Sequence, residues 1–145
     1  DGSHDPARIP ALLERATNAD VVVASRYVHG GTSDNALVLR VMSRVLNRAY
    51  SFVLGIDCRD VSTNFKLFHR VDLEGLELRC AAFDVVEELL FQVASRHGTG
   101  LRIVEVPDHF RERASGVSRR RLGPFIVAYL VTLARLRKQS RRSRR

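Results

Sequence analysis

The sequence predicts one α/β domain in which strands and helices alternate around a largely parallel sheet. A continuous β-branched run at residues 20–24 is typical of a strand buried on both faces. Residues 36–54 instead repeat apolar side chains at helical spacing and end at Gly55, a residue that commonly stops a helix. The length of 145 residues and the 45% hydrophobic content suit a single globular core. Strands that alternate with helices favour parallel pairing.

The other elements follow from the same two periodicities. Asp5 followed by Pro6 predicts the start of a short helix that continues to Ala16. We expect further strands at 63–69 and 101–106 and further helices at 83–96 and 124–138. The segment 111–122 is rich in Arg, Ser and Gly, which predicts a loop, and the end of the chain is predicted to be disordered.

The net charge of +8 is concentrated at the carboxyl end of the chain. Residues 119–145 contain ten Arg or Lys and no acidic residue, whereas the first 118 residues are close to neutral. Such a tail is typical of proteins that bind nucleic acid or an anionic membrane, and also of solvated tails without a partner. We expect no nucleic-acid partner, because no aromatic residues separate the arginines of the tail and no nucleic-acid motif is present.

Neither the apolar segments nor the cysteines predict a membrane span or a metal centre. The apolar run at 125–134 is about half of the roughly 20 residues that cross a bilayer. Cys58 and Cys80 lack the spacing of metal ligands, and we interpret them as two buried thiols of a cytoplasmic protein, with a disulfide left open.

Six segments in chain order resemble motifs of one enzyme family, and the first residues resemble the end of its DxD motif. The segments are Asp1-Gly2-Ser3-His4-Asp5-Pro6 at the start, then 22–31, 40–47, 60–68, 83–90 and 104–119. They are similar to those of family-2 glycosyltransferases of the dolichol- or polyprenol-phosphate mannosyltransferase type. The resemblance implies a GT-A fold, of which this chain would be the carboxyl-terminal half, without the nucleotide-binding half.

The resemblance also implies a division of the chain. Residues 1–122 would complete the GT-A catalytic domain, 123–138 would form an amphipathic helix, and 139–145 would be a basic disordered tail. The implied reaction is inverting transfer of a hexose, with mannose from GDP-mannose favoured, to a polyprenyl or dolichyl phosphate at the cytoplasmic face of the membrane. Glucose from UDP-glucose is the nearest alternative, and a basic nucleic-acid-binding module is the alternative from another class. We expect the fragment alone to be inactive.

A metal site is implied at the start of the chain. The leaving nucleotide diphosphate develops negative charge, and Mg²⁺ or Mn²⁺ held by hard oxygen ligands neutralises that charge. Asp1 would be one ligand, and Ser3 a weak second one, because family members often have Gln at this position. The resemblance thus makes Asp1 and Arg26 the catalytic residues.

A phosphate-binding site is implied by arginines and hydroxyl groups that are distant in sequence. Arg26 directly follows the strand at 20–24, at the end where open α/β sheets bind ligands, and guanidinium groups suit phosphate. The donor and acceptor phosphates would contact Arg26, Arg40, Ser43, Arg44, Arg113, Ser118 and Arg119. An anionic acceptor phosphate requires no general base.

The predicted carboxyl-terminal helix leaves two interpretations open. Its apolar residues, Phe125, Ile126, Tyr129, Leu130, Leu133 and Leu136, fall on one stripe, and a basic run follows. The stripe can rest on an anionic lipid surface or pack on the protein's own core.

Overall fold

A computed structural model describes residues 2–78 and 85–111, with Val127, residues 131–136 and Lys138 of the carboxyl-terminal segment. The helices are α1 (Ile9–Ala16), α2 (Leu37–Leu54), α3 (Arg70–Leu73) and α4 (Val85–His97), with 3-10 turns at Pro6–Arg8 and Gly98–Gly100. The strands are β1 (Val21–Ser25), β2 (Thr32–Ser33), β3 (Lys66–Phe68), β4 (Ile103–Pro107) and β5 (His109–Phe110).

The described residues form a three-stranded sheet of order β3-β1-β4 and a two-stranded sheet of β2 and β5. β1 is parallel to β4, and β2 is parallel to β5, which confirms the predicted α/β class with parallel pairing. β3 runs antiparallel to β1, with Val21 opposite Phe68. The sequence pattern did not predict this direction, because alternation shows which residues form a strand but not how the chain returns to the sheet.

Every residue of β1 is buried, which shows that the sheet is covered on both faces. Val21 and Val23 pack in one cluster with Tyr50 and Leu54 of α2 and with apolar residues of α4. Val22 and Ala24 pack on the opposite face with Leu12 of α1. The β-branched run therefore occupies the centre of the molecule, as its composition predicts.

The observed elements differ from the predicted ones mainly at their ends. The strand predicted at 63–69 is only Lys66–Phe68, because Phe65 N–H donates to Thr63 Oγ1 and Lys66 N–H to Asn64 O, which turns the preceding backbone. Gly55 ends α2 with a left-handed φ of 68°, as predicted. The short elements β2, α3 and β5 were not predicted, since they lack a readable period.

Two leucines among the described residues of the carboxyl-terminal segment pack on the core. Leu136 is fully buried in the larger cluster, Leu133 packs against that cluster, and Arg135 Nη2 lies 3.9 Å from Glu88 Oε1. The core interpretation is therefore correct for these two leucines. Phe125, Ile126, Tyr129, Leu130 and the tail 139–145 lie outside the described residues, so the proposed domain boundaries stay predictions. In the part that the structure describes, no helix is long and apolar enough to span a membrane.

Candidate functional site

The carboxyl end of β1 leads directly into Arg26, at the edge where open α/β sheets bind ligands. The guanidinium of Arg26 forms a bidentate ion pair with Asp60: Nε lies 2.8 Å from Oδ2 and Nη2 lies 2.6 Å from Oδ1. The backbone N–H of Arg26 also donates to Asp60 Oδ2 at 2.9 Å. Arg26 is 9% exposed and Asp60 is fully buried, so the pair is held in one geometry.

Aromatic rings surround this arginine. Arg26 Cζ lies 5.1 Å from the centre of the Tyr27 ring and 5.4 Å from that of Phe110. Arg44 of α2 contacts the same tyrosine, with its Cζ 5.3 Å from the ring centre. Cations near aromatic rings at these distances are attracted to them. The predicted phosphate-binding residues Arg26 and Arg44 thus meet at Tyr27.

The loop after β1 approaches Arg26 so closely that it requires a glycine. A Cβ atom at Gly31 would lie 2.4 Å from Ser25 O and 2.8 Å from Arg26 C. Both of these are backbone atoms, which cannot move aside as a side chain can. Gly31 N–H closes the turn by donating to Val28 O at 2.9 Å.

Lys66 lies beneath the site with its ammonium group turned inward. Nζ donates to Val61 O at 2.8 Å and also contacts Thr63 O. Burial of the ammonium lowers the pKa of Lys66 to about 8. Burial also raises the pKa of the neighbouring Cys58 thiol to about 12. Cys58 is a free, buried thiol, as predicted, whereas Cys80 lies outside the described residues.

The remaining predicted site residues divide into two groups. Arg40 and Ser43 are half-buried on α2, one turn before Arg44 and Asn47 respectively. Asp1, Arg113, Ser118 and Arg119 lie outside the described residues. Their predicted convergence with Arg26 and Arg40 therefore stays a prediction. Phosphate binding by Arg26 stays a prediction as well, and a bound phosphate would contact a guanidinium that Asp60 already holds.

The segment that precedes α1 is attached to the end of the sheet. His4 Nδ1 lies 2.8 Å from Asp108 Oδ2, and its ring contacts Phe65 and Phe110 at centroid distances of 5.1 and 5.2 Å. Arg111 N–H donates to Ser3 O at 2.9 Å. These contacts hold Ser3 and His4 near Arg26, because Phe110 touches both His4 and Arg26.

The metal site implied at the start of the chain lies only partly within the described residues. The side chain of Ser3 is buried, with 1% of its surface exposed, and metal binding by its hydroxyl stays a prediction. No group of three or more His, Cys, Asp or Glu suited to a metal occurs among the described residues. Mg²⁺ or Mn²⁺ binding at Asp1, which lies outside the described residues, remains a proposal.

Two acidic residues of the site were not predicted in their present roles. The carboxylate of Asp60 holds Arg26, which lies 34 positions away in the sequence. Asp108 pairs with His4 across 104 positions. A lone acid beside a strand end is a weak signal, because a partner this distant in sequence is set only by the fold.

Known proteins resemble this chain over most of its length. It is 34% identical over 82% of its residues to an undecaprenyl-phosphate mannosyltransferase of Micrococcus luteus, and it covers 49% of that protein. It is 32% identical over 82% to a polyprenol monophosphomannose synthase of Mycolicibacterium smegmatis, covering 46% of it. A dolichol-phosphate mannosyltransferase of Pyrococcus furiosus is 32% identical over 95% of the chain, which covers 39% of that protein.

The chain is a relative of the polyprenol- and dolichol-phosphate mannosyltransferases. The resemblance that the sequence motifs indicated is confirmed. No family model matches the chain. It spans about half the length or less of the three relatives.

Proposed function

We propose that the complete protein is an inverting glycosyltransferase that moves mannose from GDP-mannose to a polyprenyl or dolichyl phosphate. The observation that carries this proposal is the similarity to three named mannosyltransferases or phosphomannose synthases over 82% to 95% of the chain. The relatives are named as mannosyltransferases or as a phosphomannose synthase. We propose the same activity for the protein that contains this chain.

The arrangement around Arg26 suits binding of a phosphate. Asp60 orients the guanidinium, and the rings of Tyr27 and Phe110 shield it from water, which strengthens an electrostatic contact. Arg40, Ser43 and Arg44 would add donors from α2. The loop residues Arg113, Ser118 and Arg119 would complete the site, and a Mg²⁺ or Mn²⁺ at Asp1, with Ser3 as a weak ligand, would neutralise the departing diphosphate.

The direct test is transfer by the complete gene product. We expect a sugar-phosphate lipid product from polyprenyl phosphate and GDP-mannose, and less from UDP-glucose, with loss of transfer after chelation of divalent ions. Transfer from UDP-glucose alone would replace mannose by glucose. Absence of transfer from every nucleotide sugar, with properly folded protein, would overturn the function.

Substitution of Arg40 tests the anion site without disturbing the buried ion pair. Arg40→Ala should lower kcat/KM by a factor that corresponds to about 2 kcal/mol, as expected when a charged hydrogen bond is lost. Arg102→Ala is the matched control, because Arg102 directly precedes β4, at the end of the sheet away from Arg26. Equal kcat/KM for Arg40→Ala and the wild type would remove Arg40 from the site.

We also infer that the protein lies on an anionic membrane surface through the outer face of α2. Leu37, Val41, Val45 and Phe52 share this face and are between 51% and 82% exposed. Arg44 and Arg48 lie on the same exposed side, and the helix contains no acidic residue. Apolar side chains beside cations suit a surface of acidic lipid headgroups, and Arg44 connects this face to Tyr27 at the site.

Vesicle co-sedimentation of the complete protein tests the membrane surface. We expect binding to vesicles that contain phosphatidylglycerol, weaker binding to phosphatidylcholine alone, and weaker binding at high salt. Val45→Glu combined with Phe52→Glu should abolish most of it, whereas Val71→Glu, at a similarly exposed apolar residue of α3, should not. Removal of the basic tail by truncation after residue 134 would not be a clean test of the tail, because it also removes the buried Leu136. Unchanged binding by the double variant would exclude α2.

A further inference from the structure

The backbone that carries Asp60 forms a short loop between α2 and β3, here called the Asp60 loop (residues 59–63). It supplies two acceptors to one arginine: Asp60 binds Arg26 in bidentate fashion, and Ser62 Oγ accepts from Arg26 Nη2 at 3.0 Å. The position of the Arg26 guanidinium therefore depends on the position of this loop.

Glu105 of β4 holds the first part of the Asp60 loop. Its two carboxylate oxygens accept one backbone N–H each, from Arg59 at 2.9 Å and from Asp60 at 3.1 Å. Hydrogen bonds to an ionised carboxylate are stronger than those between neutral groups. The loop is thereby attached to the strand that lies parallel to β1.

Asn47 of α2 holds the second part. Its Oδ1 accepts the backbone N–H of Ser62 at 2.8 Å, while its Nδ2 lies 3.4 Å from Ser43 Oγ, to which it donates. Asn47 is fully buried on a helix side that otherwise contributes Tyr50 and Leu54 to the core. Burial of an amide is unfavourable unless its polar atoms are bonded, so this residue is poorly explained by packing alone.

The two contacts of Asn47 run in opposite directions, and they join two parts of the site. One reaches the loop that orients Arg26, and the other reaches Ser43, on the same helix as Arg40. An amide supplies both an acceptor and a donor, which neither an aliphatic side chain nor a carboxylate can do.

We propose that Asn47 and Glu105 are positioning residues, which act on the reaction through the Asp60 loop by setting the place of Arg26 relative to Ser43. This proposal rests on the proposed function, because it assigns the two residues to the same phosphate-binding site. Neither residue needs to touch a substrate. Small displacements of a binding group are sufficient to reduce the rate strongly.

A double-mutant cycle in the complete enzyme separates positioning from a general structural role. Asn47→Ala should lower kcat/KM about tenfold or more in the wild-type background. It should lower it less than about twofold in the Arg26→Lys background, because the group that Asn47 positions is already altered there. Residues that act through one another are non-additive in this way, whereas independent sites are additive.

Leu54→Ala is the matched control on the same helix, since it removes buried apolar side-chain atoms and no hydrogen bond to the Asp60 loop. It should lower the melting temperature at least as much as Asn47→Ala and change kcat/KM by the same factor in both backgrounds. Glu105→Gln provides a second double-mutant cycle. Because Glu105 is only half-buried, we expect its substitution to disturb folding less than that of the fully buried Asn47. It replaces one of the two accepting oxygens by an amide nitrogen, and we expect the same dependence on Arg26.

The possible outcomes are distinct. A reduction in kcat/KM by equal factors in both backgrounds, for Asn47→Ala where it folds and for Glu105→Gln, would overturn the positioning role. A wild-type enzyme that transfers no sugar would overturn the proposed function instead. Non-additivity with Arg26→Lys in either cycle, absent for Leu54→Ala, would support the proposal.

Discussion

The two ends of the central sheet each contain an Arg–Asp pair, but the pairs differ in burial. At the carboxyl end of β1, Arg26 and Asp60 are 9% and 0% exposed. At the opposite end, Arg102 and Asp20 are 65% and 15% exposed, with Nη2 and Oδ1 3.3 Å apart. Exposed pairs contribute little to stability, whereas a buried charge that loses its partner is strongly destabilising. The same two residue types therefore form a buried ion pair at one end of the sheet and a largely exposed ion pair at the other.

The largest expected effect comes from breaking the buried pair. Asp60→Ala leaves the guanidinium of Arg26 without its carboxylate in a site with little access to water. We expect the free energy of unfolding to fall by about 3–5 kcal/mol, measured by urea denaturation. Asp57→Ala, at an exposed acid on the same segment, should change it by less than about 0.5 kcal/mol. Similar values for both variants would show that the buried pair of Arg26 and Asp60 does not stabilise the fold.

The close backbone approach at the buried end gives the next largest effect. Gly31→Ala places a Cβ 2.4 Å from Ser25 O, so the loop must move away from Arg26. Forced displacement of packed atoms costs about 1–3 kcal/mol, which we expect to appear in thermal and urea unfolding. Gly100→Ala is the control, because a Cβ there would meet no atom within 4 Å. A Gly31→Ala protein as stable as Gly100→Ala would contradict the observed approach.

The buried end should also show a dependence on alkaline pH. Burial lowers the pKa of Lys66 from 10.5 to about 8, so the unfolded chain binds more protons above pH 8. Stability should therefore rise with pH, by on the order of 1 kcal/mol between pH 7 and 9. The raised pKa of Cys58, about 12, has the opposite sign and reduces the rise above pH 9.

Comparison of urea midpoints across this pH range isolates the lysine. Lys66→Met should lack the rise that the wild type shows, while Cys58→Ala should keep the rise and extend it to higher pH. If Lys66→Met and the wild type depend on pH in the same way, the ammonium is not buried in the folded protein.

The smallest effect is expected at the exposed end. Arg102→Ala removes the ion pair with Asp20 but keeps the backbone N–H of residue 102, which donates to Asp20 Oδ2 at 2.7 Å. That backbone hydrogen bond is the largest cause of the lowered pKa of Asp20. We expect a loss of less than about 1 kcal/mol at low salt and still less at high salt. A loss comparable with that of Asp60→Ala would show that burial does not separate the two pairs.

Much of the fold was predictable because its signals are local. The β-branched run of β1, the helical spacing of α2 and the glycine that ends it depend on neighbouring residues, and each was predicted to within one or two positions. Arg26 was placed at the end of β1 for the same reason. The antiparallel direction of β3 and the role of Asp60 were not predictable, because both depend on contacts between segments distant in the chain.

The sequence by itself determined the α/β class, the kinship with polyprenol-phosphate mannosyltransferases and the position of Arg26 at the end of β1. Only the tertiary structure decided how Arg26 is held, by Asp60 and Ser62. It also decided that Asn47 and Glu105 bind the backbone of the Asp60 loop. The packing of α2, with one buried and one exposed apolar side, was likewise decided by the tertiary structure. Periodicity gives α2 an apolar face, but which apolar side chains are covered depends on the neighbouring elements that pack against it. A hydrogen bond between residues many positions apart likewise exists only after the chain has folded.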